Sequence, residues 1–276
     1  MQRISILGSG WLGHPLAVAL NKTATHIKVS SRSQERLGAL RNEGLVAYYF
    51  DIDSLDTSDE IFLDADVLII NITSKNVESF EQLISKIETC DIKHVLFISS
   101  TSVYKNQYNL QQPEIVEDDL SSLIPCPLLS IENLFRKNTH FKTSIIRFSG
   151  LIGYQRHPGN FFLETSNPDA AYCKTIKNPD APINMIHRDD CIGLIKALIK
   201  QQCWGSVFNA CSSHHPSRRE FYRAALKNLG GYEPIFAGQS ESVGKVISNE
   251  KITDLLNYSF IHNDLLNFDG MPFDKK

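Results

Sequence analysis

No apolar run in this chain approaches the ~18 residues that cross a bilayer, so a membrane-embedded protein is not expected. The sequence enters its first apolar strand at once and shows no signal-peptide pattern, so secretion is not expected either. A G-x-x-x-x-G-K-[ST] motif is missing, which excludes a phosphate-loop NTPase. There is no C-x-x-C pair. The six cysteines (Cys90, Cys126, Cys173, Cys191, Cys203 and Cys211) are scattered through 276 residues. They read as buried thiols of a reducing compartment rather than a disulfide frame or zinc site. A dominant charge is lacking too: the net value is -3, and the longest basic cluster is Arg218-Arg219. Neither nucleic acid nor an anionic membrane is therefore expected as a partner. The expectation is a cytoplasmic protein, monomer or homodimer, acting on a small molecule.

What the chain does have comes first. Arg3-Ile-Ser-Ile-Leu7 is a short apolar strand, and it runs into Gly8-Ser-Gly10-Trp-Leu-Gly13 and a helical Leu16–Leu20. In that setting G-x-G-x-x-G is a dinucleotide-binding pattern. Gly8 allows the tight turn, Gly10 admits a pyrophosphate close to the backbone, and Gly13 lets helix and strand pack closely. The helix N-terminus aims unpaired N–H groups and partial positive charge at the phosphates. Ser9, Trp11 and Leu12 complete the loop.

Strand and helix patterns then alternate. Strands are expected at 26–30, 45–50, 67–72, 94–100 and 143–149, and helices at 34–43, 77–89 and 127–137. This alternation predicts an α/β fold, a Rossmann-type doubly wound parallel sheet. Beyond about Gly150 the regularity loosens: 151–182 reads as mostly irregular, followed by helices at 189–202 and 217–229 and a late strand at 207–210. The expected organisation is a dinucleotide-binding domain at 1–150, with 183–212 returning to it, and a smaller C-terminal substrate lobe at 151–276.

The end of the second strand distinguishes the two nicotinamide dinucleotides. An NAD site usually carries an acid there for the ribose hydroxyls, whereas a 2′-phosphate needs a cation. This chain has Ser31-Arg32-Ser33, a guanidinium between two hydroxyls. NADP is therefore the expected cofactor, with NAD second. Asp51, ending the third strand, is expected near the adenine, and Thr73 and Ser99, at the ends of the next two strands, are expected beside the cofactor.

The motifs together resemble the extended short-chain dehydrogenase/reductases, and more closely their atypical NAD(P)-binding, epimerase- and dehydratase-like branch related to nucleotide-sugar epimerases. The resemblance rests on Gly8–Gly13, Phe97-Ile-Ser-Ser-Thr-Ser-Val-Tyr104, Ile146-Arg-Phe-Ser-Gly-Leu-Ile-Gly153, Asn184-Met-Ile-His-Arg-Asp-Asp190 and Val207-Phe-Asn-Ala210, in the family's order. It implies an oxidoreductase-type chemistry on a sugar nucleotide or related carbonyl or alcohol metabolite. It also implies that Ser100 hydrogen-bonds the substrate oxygen, that the segment from Arg147 to Gly153 runs past the nicotinamide, and that Asp190 opens a helix with a structural role.

The chain departs from that family at its catalytic centre. Tyr-x-x-x-Lys places both side chains on one helix face, where the ammonium lowers the phenol pKa. None of the nine tyrosines here has a lysine in that position. If Glu132 matches the glutamate that usually follows the pair, Ile124 and Leu128 stand in its place. Two readings stay open. Another phenol among Tyr104, Tyr108 and Tyr154 supplies the proton, with Tyr104 the first choice; or the protein is a non-catalytic NADPH-binding sensor or partner-binding module. Elsewhere, His214-His215 reads as a polar turn, His187 as a helix-entry hydrogen bond, Asp189-Asp190 as helix caps and Glu117-Asp118-Asp119 as a solvated loop. Arg156 and His157 are candidates for meeting an anionic substrate.

Overall fold

The computed structural model describes residues 2–22, 26–56, 59–106, 114–164, 172–230, 234–238 and 244–274. Among these, no helix is long and apolar enough to cross a membrane. The chain divides into two compact units, one formed by 1–103, 124–147 and 192–208, the other by 104–123, 148–191 and 209–276. The stretch 104–123 thus groups with the second unit, although its sequence position falls inside the expected first domain.

The first unit alternates β1 (Arg3–Leu7), α1 (Gly13–Asn21), β2 (His26–Ser31), α2 (Gln34–Asn42), β3 (Val46–Tyr49), α3 (Asp59–Leu63), β4 (Val67–Ile70), α4 (Val77–Ile87), β5 (His94–Ser100), α5 (Pro127–Lys137) and β6 (Lys142–Phe148). The sheet order is β3-β2-β1-β4-β5-β6, and a later strand lies beyond β6. β1 pairs in parallel with both β2 and β4, so the chain reverses its direction of travel across the sheet between them. In such sheets that switch point, at the carboxyl ends of the strands, is where ligands bind.

The apolar pattern explains the layering. β4 is buried at all four positions, as a strand covered on both faces requires. Leu7, Leu68, Ile70, Val95, Phe97 and Ile145 share a core with Phe80, Leu83 and Ile87 of α4 and with Ile131 and Phe135 of α5. The intervening strand residues, Ile6, Val67, Ile69, Leu96 and Ile146, are buried too, as period-two alternation demands. Local signals set the helix ends: the Ser33 side chain accepts from Arg36 N–H, Asn76 accepts from Ser79 N–H, and Pro127 occupies the first turn of α5.

The second unit holds β7 (Gly150–Ile152), β8 (Leu163–Glu164), β9 (Tyr172–Cys173) and β10 (Met185–His187). Further along come α6 (Arg188–Gln201) and β11 (Val207–Ala210), each divided between the units, then α7 (Arg218–Gly230) and α8 (Glu250–Leu256). β7 pairs in parallel with β10, and β8 antiparallel with β9. Ile152, Ile183, Met185, Phe221, Leu265, Phe268 and Met271 form its core. Within 151–182, read as mostly irregular, Pro158–Phe161 forms a 3₁₀ turn. α3, α8 and the small strands are additions to the sequence reading. Cys90, Cys126, Cys191, Cys203 and Cys211 are free thiols. Cys191 and Cys211 are fully enclosed, while the other three are half-buried.

Candidate functional site

A cleft of about 490 Å³ lies in the first unit, lined from the ends of β1, β2, β3 and β4. Gly8, Ser9 and Gly10 border it, as do Ser31, Arg32, Ser33, Asp51 and Thr73. Eight of the expected cofactor residues are therefore brought together by the strand order alone. Gly8 has φ +101°, and a Cβ there would stand 2.5 Å from the Asn71 carbonyl oxygen. A Cβ on Gly13 would stand 1.9 Å from the Gly8 oxygen. Gly10 differs: a Cβ there meets nothing within 4 Å. The space beside Gly10 is open, and only its backbone borders that part of the cleft.

Behind the loop, α1 starts without a side-chain cap and with no acid in its first turn. Its dipole favours an anion at that end, although His14 N–H is already given to the Gly10 carbonyl and Pro15 has none. The Gly8 N–H donates to Ser30 Oγ at 3.1 Å, tying the loop to β2. These features fit a dinucleotide pyrophosphate.

The rim at β2 and β3 is mixed in charge. Arg32 is exposed, with its Nη1 3.7 Å from Asp51 Oδ1 and 3.8 Å from Asp53 Oδ2. Arg36 also lines the cleft and donates from Nη2 to the Ser9 carbonyl at 3.4 Å. Ser33 Oγ is occupied as the α2 cap, and Ser31 Oγ accepts from Ser33 N–H at 3.1 Å. Arg36, Asn71 and Asp53 are cleft residues that the sequence reading missed. The signals were present: Arg36 sits in the first turn of α2, and Asn71 directly follows the apolar run of β4.

Four expected cofactor residues do not line this cleft: Trp11, Leu12, Gly13 and Ser99. Gly13 acts through packing, and Leu12 is buried. Ser99 corrects the expectation, because its buried hydroxyl donates to the Glu132 carboxylate. Burial leaves Glu132 and Arg147 no water to satisfy them, so Ser99 is recruited to their pair.

Ser100 ends β5, and its Oγ accepts from Ser102 N–H at 3.1 Å, stabilising the turn that follows. Tyr104 is 1% exposed and its hydroxyl donates to Asn209 Oδ1 at 2.8 Å. Its phenol is held inside the second unit, which counts against the proton-donor role expected for it. Tyr108 lies outside the described residues. Tyr154 donates its hydroxyl to Asp189 Oδ1 at 2.9 Å; burial and then this bond push its pKa up. Ile124 is not on α5 at all, because the helix begins only at Pro127. A Tyr-x-x-x-Lys pair at 124 and 128 would have no shared helix face.

Other expectations are corrected in the second unit. Glu117 is buried and its Oε1 accepts from Asn209 N–H, so it is no solvated loop residue. Asp190 is drawn away from its own helix: Oδ1 accepts from the Tyr258 hydroxyl and from Ile261 N–H, and Oδ2 from His262 N–H. It ties down the C-terminal segment instead. His157 is enclosed against Phe268 and Phe273 and accepts from Gly159 N–H, a packing role. His187 Nδ1 accepts from Asp189 N–H at 3.2 Å, the helix-entry bond expected of it. Lys245, unremarked in the sequence, has a pKa pushed down to about 8 by burial, and its Nζ donates to the Tyr104 carbonyl at 2.9 Å.

No protein-family profile matches the chain. Protein YeeZ of Escherichia coli (strain K12) is 27% identical over 283 residues, covering 96% of this chain and 98% of YeeZ. Among solved structures, a short-chain dehydrogenase/reductase superfamily protein from Agrobacterium tumefaciens with bound NAD superposes with a TM-score of 0.77 at 15% identity over 97% of this chain and 95% of that one. A UDP-glucuronic acid 4-epimerase from Bacillus cereus, in complex with UDP-glucuronic acid and NAD, gives 0.73 at 20% identity over 97% and 96%. A putative NAD-dependent epimerase/dehydratase from Methylobacillus flagellatus gives 0.70 at 22% identity over 98% and 96%. The chain has the fold of these NAD-dependent epimerases and short-chain dehydrogenase/reductases.

Proposed function

We propose that the first unit binds a nicotinamide dinucleotide, NADP(H) ahead of NAD(H), and that the protein is an epimerase-, dehydratase- or reductase-like enzyme. Its substrate class is a sugar nucleotide or a related small carbonyl or alcohol metabolite. One observation carries the cofactor reading: the Gly8–Gly10 backbone, open at Gly10, shares a cleft with two arginines. Gly8, Ser9 and Gly10 would hold the pyrophosphate, and Arg32 with Arg36 the 2′-phosphate end. Asp51 and Asp53 oppose that phosphate, so the preference rests on two cations against two anions. The neighbours bound to NAD support the dinucleotide class and leave the preference to Arg32 and Arg36.

When bound, the nicotinamide supplies hydride transfer. Ser100, at the end of β5, is the residue we assign to polarising the substrate oxygen. The second reading, a non-catalytic NADPH sensor, is favoured by the tyrosines: Tyr104 and Tyr154 both have their hydroxyls committed to protein acceptors.

Calorimetric titration of nucleotide-free protein with NADPH and NADH tests the cofactor reading. The expected result is NADPH binding ~10-fold tighter, or ~1.4 kcal/mol. Equal or reversed affinities overturn the NADP preference, and binding of neither overturns the dinucleotide. Oxidation of NADPH on adding a carbonyl substrate, lost in Ser100→Ala, separates the enzyme from the sensor.

A further inference from the structure

The second unit contains a cluster that the dinucleotide reading does not use. One donor atom each from His187, Asp189 and His262 lies within 4.8 Å of the other two. Asp189 Oδ2 is 3.4 Å from His187 Nδ1 and 3.1 Å from His262 Nε2. Donors around a tetrahedral zinc ion, with bonds of about 2.0–2.1 Å, stand roughly 3.3 Å apart. Two edges of the triangle already have that length. We infer that His187, Asp189 and His262 form a binding site for a divalent transition-metal ion of the zinc class.

The donor chemistry suits such an ion. Two imidazoles and one carboxylate are borderline ligands that favour zinc and its neighbours over calcium or magnesium, which prefer all-oxygen shells. Three protein donors leave a fourth position for water.

The surroundings hold each donor in place. Asp189 Oδ1 is occupied by the Tyr154 hydroxyl at 2.9 Å, which leaves Oδ2 for the ion. The Arg188 guanidinium lies 3.8 Å from the centre of the Tyr154 ring and steadies that phenol. Asp190 accepts from Ile261 N–H at 2.6 Å and His262 N–H at 3.0 Å, fixing the backbone that carries His262. His187 is fully buried, and a Cβ on Gly153 would come within 2.3 Å of its Nε2, so its ring is confined. Outer contacts of this kind orient ligands and tune affinity.

Loading has a defined proton balance. The ion replaces the Asp189 N–H contact at His187 Nδ1 and the Asp189 contact at His262 Nε2, and any proton on a donor nitrogen is released. Both imidazoles bind as neutral rings and the carboxylate as its anion. The ion then joins the β10–α6 junction to the segment carrying His262, which raises stability by mass action.

The test uses full-length protein dialysed against a chelator. Zn²⁺ is titrated calorimetrically, Co²⁺ is added as a visible-absorption probe, and thermal unfolding is followed with and without Zn²⁺. The expected result is one ion per chain at micromolar affinity or tighter, tetrahedral Co²⁺ bands, and a Zn²⁺-dependent rise in Tm. His262→Ala should weaken binding at least ~100-fold, and Tyr154→Phe ~10-fold. His214→Ala should change nothing, because His214 pairs separately with Asp264. Should His262→Ala fail to fold, histidine NMR of the unaltered protein decides: Zn²⁺ must shift the His187 and His262 ring signals and spare His214. Absence of Zn²⁺ binding, survival of binding in folded His262→Ala, or shifts centred on His214 would each overturn the site.

Discussion

Arg147 and Glu132 form a two-pronged ion pair inside the first unit, with Arg147 Nη2 2.6 Å from Glu132 Oε2 and Nε 3.1 Å from both oxygens. Both side chains are at most 1% exposed. Glu132 also accepts from Ser99, so one carboxylate links α5 to β5 and β6. Removing one partner leaves the other buried and uncompensated. Glu132→Gln is therefore expected to cost about 3–5 kcal/mol, while the joint replacement Glu132→Leu with Arg147→Met costs less. Urea unfolding of the two variants checks this; a single variant as stable as the parent refutes it.

Two of the loop glycines separate folding from binding. Gly13→Ala forces a methyl group into the Gly8 carbonyl, and overpacking of that kind costs about 1–3 kcal/mol. Gly10→Ala meets no protein atom, so stability should move by less than ~0.5 kcal/mol. The same methyl group would occupy the space assigned to the pyrophosphate, so dinucleotide affinity should fall at least ~10-fold, or ~1.4 kcal/mol. Thermal unfolding and calorimetry on both variants give the answer. Gly10→Ala binding as tightly as the parent would remove the pyrophosphate from that place.

How legible all this was depends on the range of the interaction. β1, β5, α5 and β11 begin and end where the apolar pattern and Pro127 put them, because those signals are local. The cleft follows from strand order, and Gly8, Arg32 and Asp51 reach it simply by ending neighbouring strands. Ser99 and Tyr104 failed for the opposite reason. Their hydroxyl partners, Glu132 and Asn209, are distant in sequence, and no periodicity announces such a bond. Glu117 read as solvated from two acidic neighbours, but the Asn209 N–H draws it inside. The His187, Asp189 and His262 cluster was equally hidden, since His262 lies far along the chain in a segment without regular structure.

Arg32 stands between two carboxylates, which gives nucleotide preference a sign that can be tested. Asp53→Asn removes a negative charge 3.8 Å from the guanidinium and leaves Asp51 in place. A 2′-phosphate then meets less repulsion, whereas NADH has no phosphate there to respond. NADPH affinity is expected to rise about 3-fold, and Arg32→Ala to lower it ~10-fold, with NADH changed by less than ~2-fold in both. Parallel titrations measure the ratio. A rise for NADH equal to that for NADPH would mean that Asp53 acts on the shared part of the cofactor.

Glu117 offers a pH signature of the second unit. Burial pushes its carboxyl pKa up, against the opposing hydrogen bond from Asn209 N–H and the charge of Lys251, with Asp118 adding to the rise. A carboxyl group with a higher pKa folded than unfolded binds more protons in the native state. It therefore subtracts stability as pH climbs from the unfolded value near ~4.3 through the folded one, and subtracts nothing when both states are protonated. Glu117→Gln keeps an oxygen for Asn209 N–H and abolishes the titration. Below pH ~4 the variant and the parent should match closely. Towards pH 7 the variant should become the more stable. Urea unfolding of both proteins at the two pH values measures the gap. A gap that stays constant with pH would show an unshifted Glu117, and a parent that becomes the more stable towards pH 7 would show that the Asn209 bond outweighs burial and holds Glu117 ionised.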